Sequence, residues 1–448
     1  MRWFLATTLL FGLILPLPVP AQTLTLHQAV ETALQLSPVL HAGEAGVLEA
    51  SEGVRMAGAE RHPRVSLSES YTRSNNPVFA FGSLLNQRRF GMENFQIDDL
   101  NHPDSLQNFQ SLLHVEQTVY DFGRTRHALR AARLASDLSL EEQRAGRADV
   151  ILAVAQAYFG AVLAARKLEV SGKSVQTAQA DLRRSEALAE AGMATQADVL
   201  SARVHLAALR EQQIQAQNDQ IVARAGLNQV MGVDQGRDFQ LLTDLTAPPT
   251  GPALLDVYLL QAAQLHADSR RARLSEAMAQ EQVEQARRER WPEVVALGVL
   301  EGDRQGLVRD GGGNWAAGMT LRWEIWDGSG KSARVAGARH AQKKVEAVGR
   351  HTGSLVELRT RQAFFDHRSA AQRVEVAESS VQQAVESHRI IEDRYEAGLE
   401  NVTALIRSQL AVMEARFRCL YALYDQRVSR SALEHAAGLL TPESEALK

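Results

Sequence analysis

Two stretches and the histidines carry residue types that could do chemistry. WDGSGKS (326–332) places Gly-Lys-Ser between an alternating segment and a helical one, the setting of a loop whose backbone N–H groups and lysine cradle phosphates. That loop also needs a glycine at 325, where Ile325 stands, and a strand buried on both faces, whereas this one alternates. Nucleotide binding is set aside, and Lys331 is read as a polar residue opening a helix. RDGGGN (309–314) has acid and glycine but lacks the bidentate glutamate of a calcium loop. The 13 histidines are scattered, without a cysteine partner or a His-x-x-x-His pair on one helical face, so His62, His102 and His114 are read as solvated polar groups. No Gly-x-Ser-x-Gly elbow and no adjacent nucleophile and base occur. The expectation is a chain without catalysis, cofactor or metal site.

The informative spacing lies elsewhere. LAEAGMATQADVL (188–200) and DRYEAGLENVTALI (393–406) interrupt two charged helical stretches with the same Glu-Ala-Gly, 206 residues apart. The same interval relates Tyr120-Asp121 to Trp326-Asp327, Tyr158-Phe159 to Phe364-Phe365, and Gly232 to Gly438. Further upstream the interval is 229, pairing Glu60-Arg61-x-Pro63 with Glu289-Arg290-x-Pro292, so the first copy carries about 23 extra residues between Pro63 and Tyr120. That insert, rich in Asn, Pro, Phe and Gly, is expected to be a long loop over 74–106. Gly192 and Gly398 suit tight helix reversals because glycine takes a left-handed backbone cheaply, and Thr195 and Asn401 are candidate N-caps of the returning helices.

Elements of two kinds position these turns. Period-two alternation predicts strands near 63–73, 109–120, 292–302 and 315–326; in the last, Met319, Leu321, Trp323 and Ile325 oppose Thr320, Arg322 and Glu324. Proline-free heptad stretches predict helices over 124–191 and 331–397, with seams through Val154, Ala161, Leu168, Val175 and Leu182, and through Val356, Ala363, Ala370, Ala377, Ala384 and Ile391. At 1.5 Å per residue each is a rod of roughly 100 Å, more than a compact core requires. Return helices follow over 195–231 and 401–437. The first repeat then spans 22–232, a Pro- and Gly-bearing linker 233–256, the second repeat 257–438, and a tail 439–448.

Composition bounds the setting. Forty-nine basic and 53 acidic residues are mixed throughout, so no field suited to nucleic acid is implied. Residues 1–21 carry Arg2, an apolar run of about thirteen residues and Val19-Pro20-Ala21, the pattern of a cleaved export signal too short to span a bilayer. Cys419, the only cysteine, is far from the cleavage point, so no lipoprotein is expected, and it is read as a helix-packing residue. No later apolar run of 18 residues was found, which points away from a helical inner-membrane protein. The strands match the 9–11 residues of a membrane β-strand, but membrane barrels start at eight strands and an open edge cannot sit in lipid. Several copies must pool their strands, and three would supply twelve.

The Glu/Arg-x-x-Pro leads, the strand ends Val-Tyr-Asp-Phe-Gly-Arg (119–124) and Ile-Trp-Asp-Gly (325–328), and the Tyr-Glu-Ala-Gly-Leu turn resemble the TolC-like outer-membrane efflux protein family, over roughly Leu24 to Leu440. The resemblance implies a mainly α chain with membrane β: a tandem-repeat fold giving four strands per chain to a 12-stranded barrel of a homotrimer, continued by a long α-helical barrel. It implies an exit duct of a tripartite efflux or type I secretion system, in outer-membrane lipid, fed by a periplasmic adaptor (membrane fusion protein) and an inner-membrane pump of RND, ABC or MFS type. It places Gly192, Met193, Gly398 and Leu399 at adaptor-docking turns. It also makes Asp198 and Tyr395 gate residues. Where relatives carry an arginine and two aspartates after the second glycine, this chain has Glu400, Ala404 and Arg407; Arg407 is then expected to make the entrance basic, with Asp198 as its latch partner. The competing reading is a periplasmic coiled-coil adaptor or structural protein without a barrel.

Overall fold

A computed structural model describes residues 22–247 and 254–447; the export signal and residues 248–253 of the linker lie outside the described residues. In chain order the elements are β1 (Gln22–Leu24), α1 (Leu26–Leu36), α2 (Pro38–Ala59), β2 (Arg64–Ser74), α3 (Pro77–Asn86), α4 (Ile97–Asn101), β3 (Leu106–Tyr120), α5 (Arg124–Glu190) and α6 (Gln196–Met231). Then come β4 (Phe239–Leu241), α7 (Leu255–Leu265), α8 (Ala267–Arg288), β5 (Glu293–Arg304), β6 (Gly311–Arg322), α9 (Gly330–Glu396) and α10 (Val402–Ala436). Both α5 and α9 run 67 residues.

The chain forms two compact units, and neither is a sequence repeat. One comprises Met1–Pro38, Arg147–Val257 and Thr360–Lys448; the other comprises Val39–Gly146 and Tyr258–Arg359. Each draws on both repeats because α5 and α9 are too long to end inside one unit.

In the first unit β1 pairs in parallel with β4, which lies in the segment read as linker. This pairing is pinned by Tyr158, fully buried, whose hydroxyl donates to the Leu24 carbonyl (2.8 Å) and accepts from the Thr243 N–H (2.9 Å). Phe159, Leu26, Met231 and Leu433 complete a core without solvent exposure. One sequence expectation changes here. An 18-residue window of α5 has mean hydropathy 1.7 and passes a membrane-span test by length and composition, but 56% of it is buried within the chain, around Val154, Ala155, Tyr158 and Phe159. Its apolarity forms the core under β1. Further along, Val175 and Ala178 of α5 pack on Leu206 and Leu209 of α6 and Met413 of α10. Cys419 packs beside Val374, Ala377 and Ala422, and burial pushes its thiol pKa up.

The second unit holds the sheet, with order β2-β3-β5-β6 and every neighbour antiparallel. β6 begins at Gly311 and ends at Arg322, earlier than the alternation alone suggests, because Trp323 to Trp326 leave the ladder and Trp323 donates its indole N–H to the Arg290 carbonyl (3.1 Å). The insert expected as an irregular loop contains α3, a 3-10 turn (92–95) and α4. Asn76 caps α3 by accepting from the Phe79 N–H, and Pro77 fits its first turn, where no backbone N–H is needed.

Candidate functional site

The strands form a two-faced surface. Rungs across the sheet put Val65, Leu67, Leu113, Val115, Leu300, Trp315, Met319 and Leu321 on one face. Ser66, Ser68, Ser70, His114, Glu116, Glu301 and Asp303 lie on the other. Leu67 is 74% exposed and Trp315 77%, so among the described residues nothing covers this part of the apolar face. β2 and β6 each present an unpaired edge. A sheet with one apolar face and open edges is stable in lipid only when further strands pair both edges. At the helix-bearing end Tyr120 meets Phe122 edge-on and Phe122 stacks on Trp291, with centroid separations of 4.8 and 5.3 Å, a cluster of the kind aromatic residues form at a membrane interface.

The motifs ending β3 and following β6 join the sheet to the long helices. Asp121 accepts from the N–H groups of Gly123 (3.0 Å) and Thr125 (2.6 Å), and Asp327 accepts from the Lys331 N–H (2.7 Å), so each aspartate caps a 67-residue helix. Burial opposes ionisation of Asp121, but hydrogen bonds from Thr125 and Gly123 and the Arg124 charge outweigh it and hold its pKa below the ordinary 3.8. Both junctions pass through two successive left-handed residues, Phe122-Gly123 and Gly328-Ser329. The Lys331 ammonium lies 3.2 Å from the Glu324 carboxylate.

At the other end of the long helices stand the two turns. Gly192 (φ 73°) and Gly398 (φ 72°) terminate α5 and α9 in the left-handed region. The Met193 N–H bonds the Leu188 carbonyl (2.8 Å) and the Leu399 N–H the Arg394 carbonyl (2.9 Å), the wrap-around closure that glycine permits. Met193 and Leu399 project outward, 72% and 68% exposed. Asn401 caps α10 through the Ala404 N–H (2.9 Å).

Tyr395 is 5% exposed, packs with Ala202, Val402 and Leu405, and shares a 2.9 Å hydrogen bond with the hydroxyl of buried Ser185 on α5. Arg184, one residue earlier, reaches Glu396 (2.7 Å) and Glu392 (3.4 Å) on α9. Asp198 lies in the first turn of α6. Its carboxylate accepts from the N–H and hydroxyl of Thr195 (2.9 and 2.7 Å), forming a capping box at the start of α6. Glu400 pairs with Arg394 across its own turn (3.3 Å). Arg407 is exposed, and among the described residues no ion pair joins it to Asp198 within one chain. The Thr-x-x-Asp signature announces the box in sequence.

Sequence reasoning missed a buried polar cluster one helical turn before Ser185. Asp181 is 8% exposed with one carboxylate oxygen unpaired, and Gln409 is 6% exposed with an unpaired amide nitrogen. His205 contacts Gln409 (2.9 Å) and His388 contacts buried Ser408 (2.9 Å). Burial pushes the Asp181 pKa up, partly opposed by Arg184, and burial lowers that of His205. Its members come from four helices, so no local pattern marks it.

The sheet and the helical extension define a class: a channel assembled from several copies, with a pooled membrane barrel and a helical extension. The comparisons agree. The sequence matches the family described as outer membrane efflux protein over residues 29–233 and 259–439, and the chain belongs to that family. Among curated relatives, protein CyaE of Bordetella pertussis is 28% identical over 432 residues, spanning 95% of this chain and 87% of that protein. Among solved structures, the outer membrane protein VceC of Vibrio cholerae aligns with a TM-score of 0.76 at 20% identity, covering 92% of this chain and 96% of that one. The Campylobacter jejuni CmeC outer membrane channel aligns at 0.79 and 16% identity, covering 94% and 87%. The fold is the tandem α-barrel/β-barrel fold of such channel subunits, and its function is that of an outer-membrane exit duct. Members of the family are channels, not enzymes; they are trimeric, extend into the periplasm and work with adaptors and inner-membrane pumps. The adaptor-like coiled coil without a barrel is thereby set aside.

Proposed function

We propose that three copies of this chain form the duct as a homotrimer without a lipid anchor. In this reading it receives a periplasmic adaptor at the turns around Gly192-Met193 and Gly398-Leu399, and the pump behind the adaptor supplies the transport energy. The observation that carries the reading is the four-stranded sheet with two open edges and opposite faces of opposite polarity, which three-fold closure satisfies. The docking part rests on the two matched turns, each placing one apolar side chain in solvent beside a glycine that no side chain crowds. Adaptor hairpins of apolar tip chemistry fit such a surface.

The gate belongs to the same proposal. Tyr395 with Ser185, and Arg184 with Glu392 and Glu396, hold α9 against α5 at the tip, while Asp198 stiffens the first turn and Arg407 faces solvent as a candidate pore-lining charge. The test of docking is Met193→Glu combined with Leu399→Glu in cells. Loss of transport and of adaptor cross-linking, with an unchanged outer-membrane trimer, is the expected result. Unchanged cross-linking places docking elsewhere.

A further inference from the structure

The insert distinguishing the first repeat folds onto the sheet, and onto a particular face of it. Gln87, 3% exposed, donates from its amide nitrogen to the Asn108 side chain (2.9 Å) and the Gln107 carbonyl (3.0 Å), and Asn108 in turn hydrogen-bonds fully buried Asp303. Arg88 donates to the Gly313 carbonyl (3.2 Å). At Gly312 a Cβ would lie 1.8 Å from the Asn86 carbonyl oxygen, so only glycine lets the end of α3 approach so closely. Asn108, Asp303 and Gly312 share the polar face with Ser66, Ser68 and Glu301, at the end of the sheet remote from the long helices. In a closed membrane barrel the apolar face meets lipid and the polar face lines the lumen. α3 therefore lies within the extracellular mouth.

The two stripes of α3 are reversed from what a hydrated wall would call for. Ala80 and Ser83, followed by Gln87, are buried against the sheet, whereas Val78 (82% exposed), Phe81 and Leu85 form an i, i+3, i+7 stripe facing away from it. Phe81 continues into an edge-to-face chain with Phe90 and Phe95. A 12-stranded barrel with strands about 4.8 Å apart and tilted about 40° has a backbone diameter of roughly 24 Å. Three helices, each about 10–12 Å across, fill that width.

We propose that the Val78-Phe81-Leu85 stripe docks on the same stripe of the other two copies, closing the extracellular mouth with an apolar three-helix plug anchored through Gln87, Asn108 and Gly312. This rests on the trimeric-duct reading, continues the subunit contact already required at the strand edges, and leaves the periplasmic gate independent of it.

The test uses the full-length protein in outer membranes, with Cys419→Ser as background and Val78→Cys, Phe81→Cys and Leu85→Cys introduced singly. Oxidation is expected to produce a disulfide-linked dimer at one or more of these positions. Separately, Leu85→Asp is expected to raise single-channel conductance in planar bilayers severalfold. A heat-dissociable trimer in which all three cysteines stay uncross-linked and Leu85→Asp leaves conductance unchanged overturns the plug alone. A chain that forms no outer-membrane trimer overturns the plug and the duct together.

Discussion

Tyr395 and Asp181 show how single residues set the mechanics of the tip. Tyr395 shares a hydrogen bond with the hydroxyl of Ser185, which is fully buried, so removing the phenol hydroxyl takes that partner from a buried group. Tyr395→Phe is expected to cost about 1 kcal/mol per chain and to raise channel open probability in planar bilayers; an unchanged open probability removes this bond from the gate. Asp181 gives a pH dependence whose sign follows from burial. Its folded pKa lies above the ordinary 3.8, so the folded state holds the proton more tightly than the unfolded one. The neutral acid is favoured in the packed tip, and its stabilising contribution is lost as pH rises from about the ordinary value through the raised one. Protection of the turn amides, the ratio of intrinsic to observed exchange rate at each pH, should rise on acidification through that window. Asp181→Asn should show high protection already at neutral pH and no further rise, with Arg184, Glu392 and His388 as the neighbouring groups left in place. Equal pH dependence in both proteins would remove Asp181 as its source.

Among the elements, the sheet has the most definite register. Because side chains alternate with period two, substitutions one residue apart test opposite faces. Leu67→Arg puts a charge into the lipid-facing surface, with an expected cost of about 2–4 kcal/mol near the bilayer midplane, read as reduced trimer yield in outer membranes. Ser66→Arg, on the lumen side, should leave the yield near normal. Equal losses would reverse the assignment of the faces. The helices show a different asymmetry. Phe159 is fully buried under β1, while its repeat partner Phe365 is 51% exposed, because β1 and β4 cover only the first copy. The interval of 206 preserves the helix and leaves its environment free to diverge.

For the whole molecule the controlling fact is that one chain is incomplete. Among the described residues the outer strand edges have no pairing strand and the apolar chains on the strands stay exposed. The expected outcome is an outer-membrane trimer that survives detergent without heating and runs as a monomer after boiling. A soluble periplasmic monomer would overturn the assembly, since no single chain can satisfy both edges in lipid.

The sequence by itself determined the elements whose cause is local. Period-two alternation specifies the strands, heptad spacing the long helices, glycine the left-handed turns at 192 and 398, and the Tyr-Asp and Trp-Asp repeats mark the aspartates that cap α5 and α9. Tertiary structure alone decided what depends on distant segments meeting. It brought Asp181, His205, His388 and Gln409 together from four helices. It directed the apolar stretch of α5 into a core under β1, and it seated α3 on the polar face of the sheet through Gly312. It also closed the Thr195–Asp198 capping box at the start of α6. Periodicity records which side of an element is apolar; only the folded chain shows what that side meets.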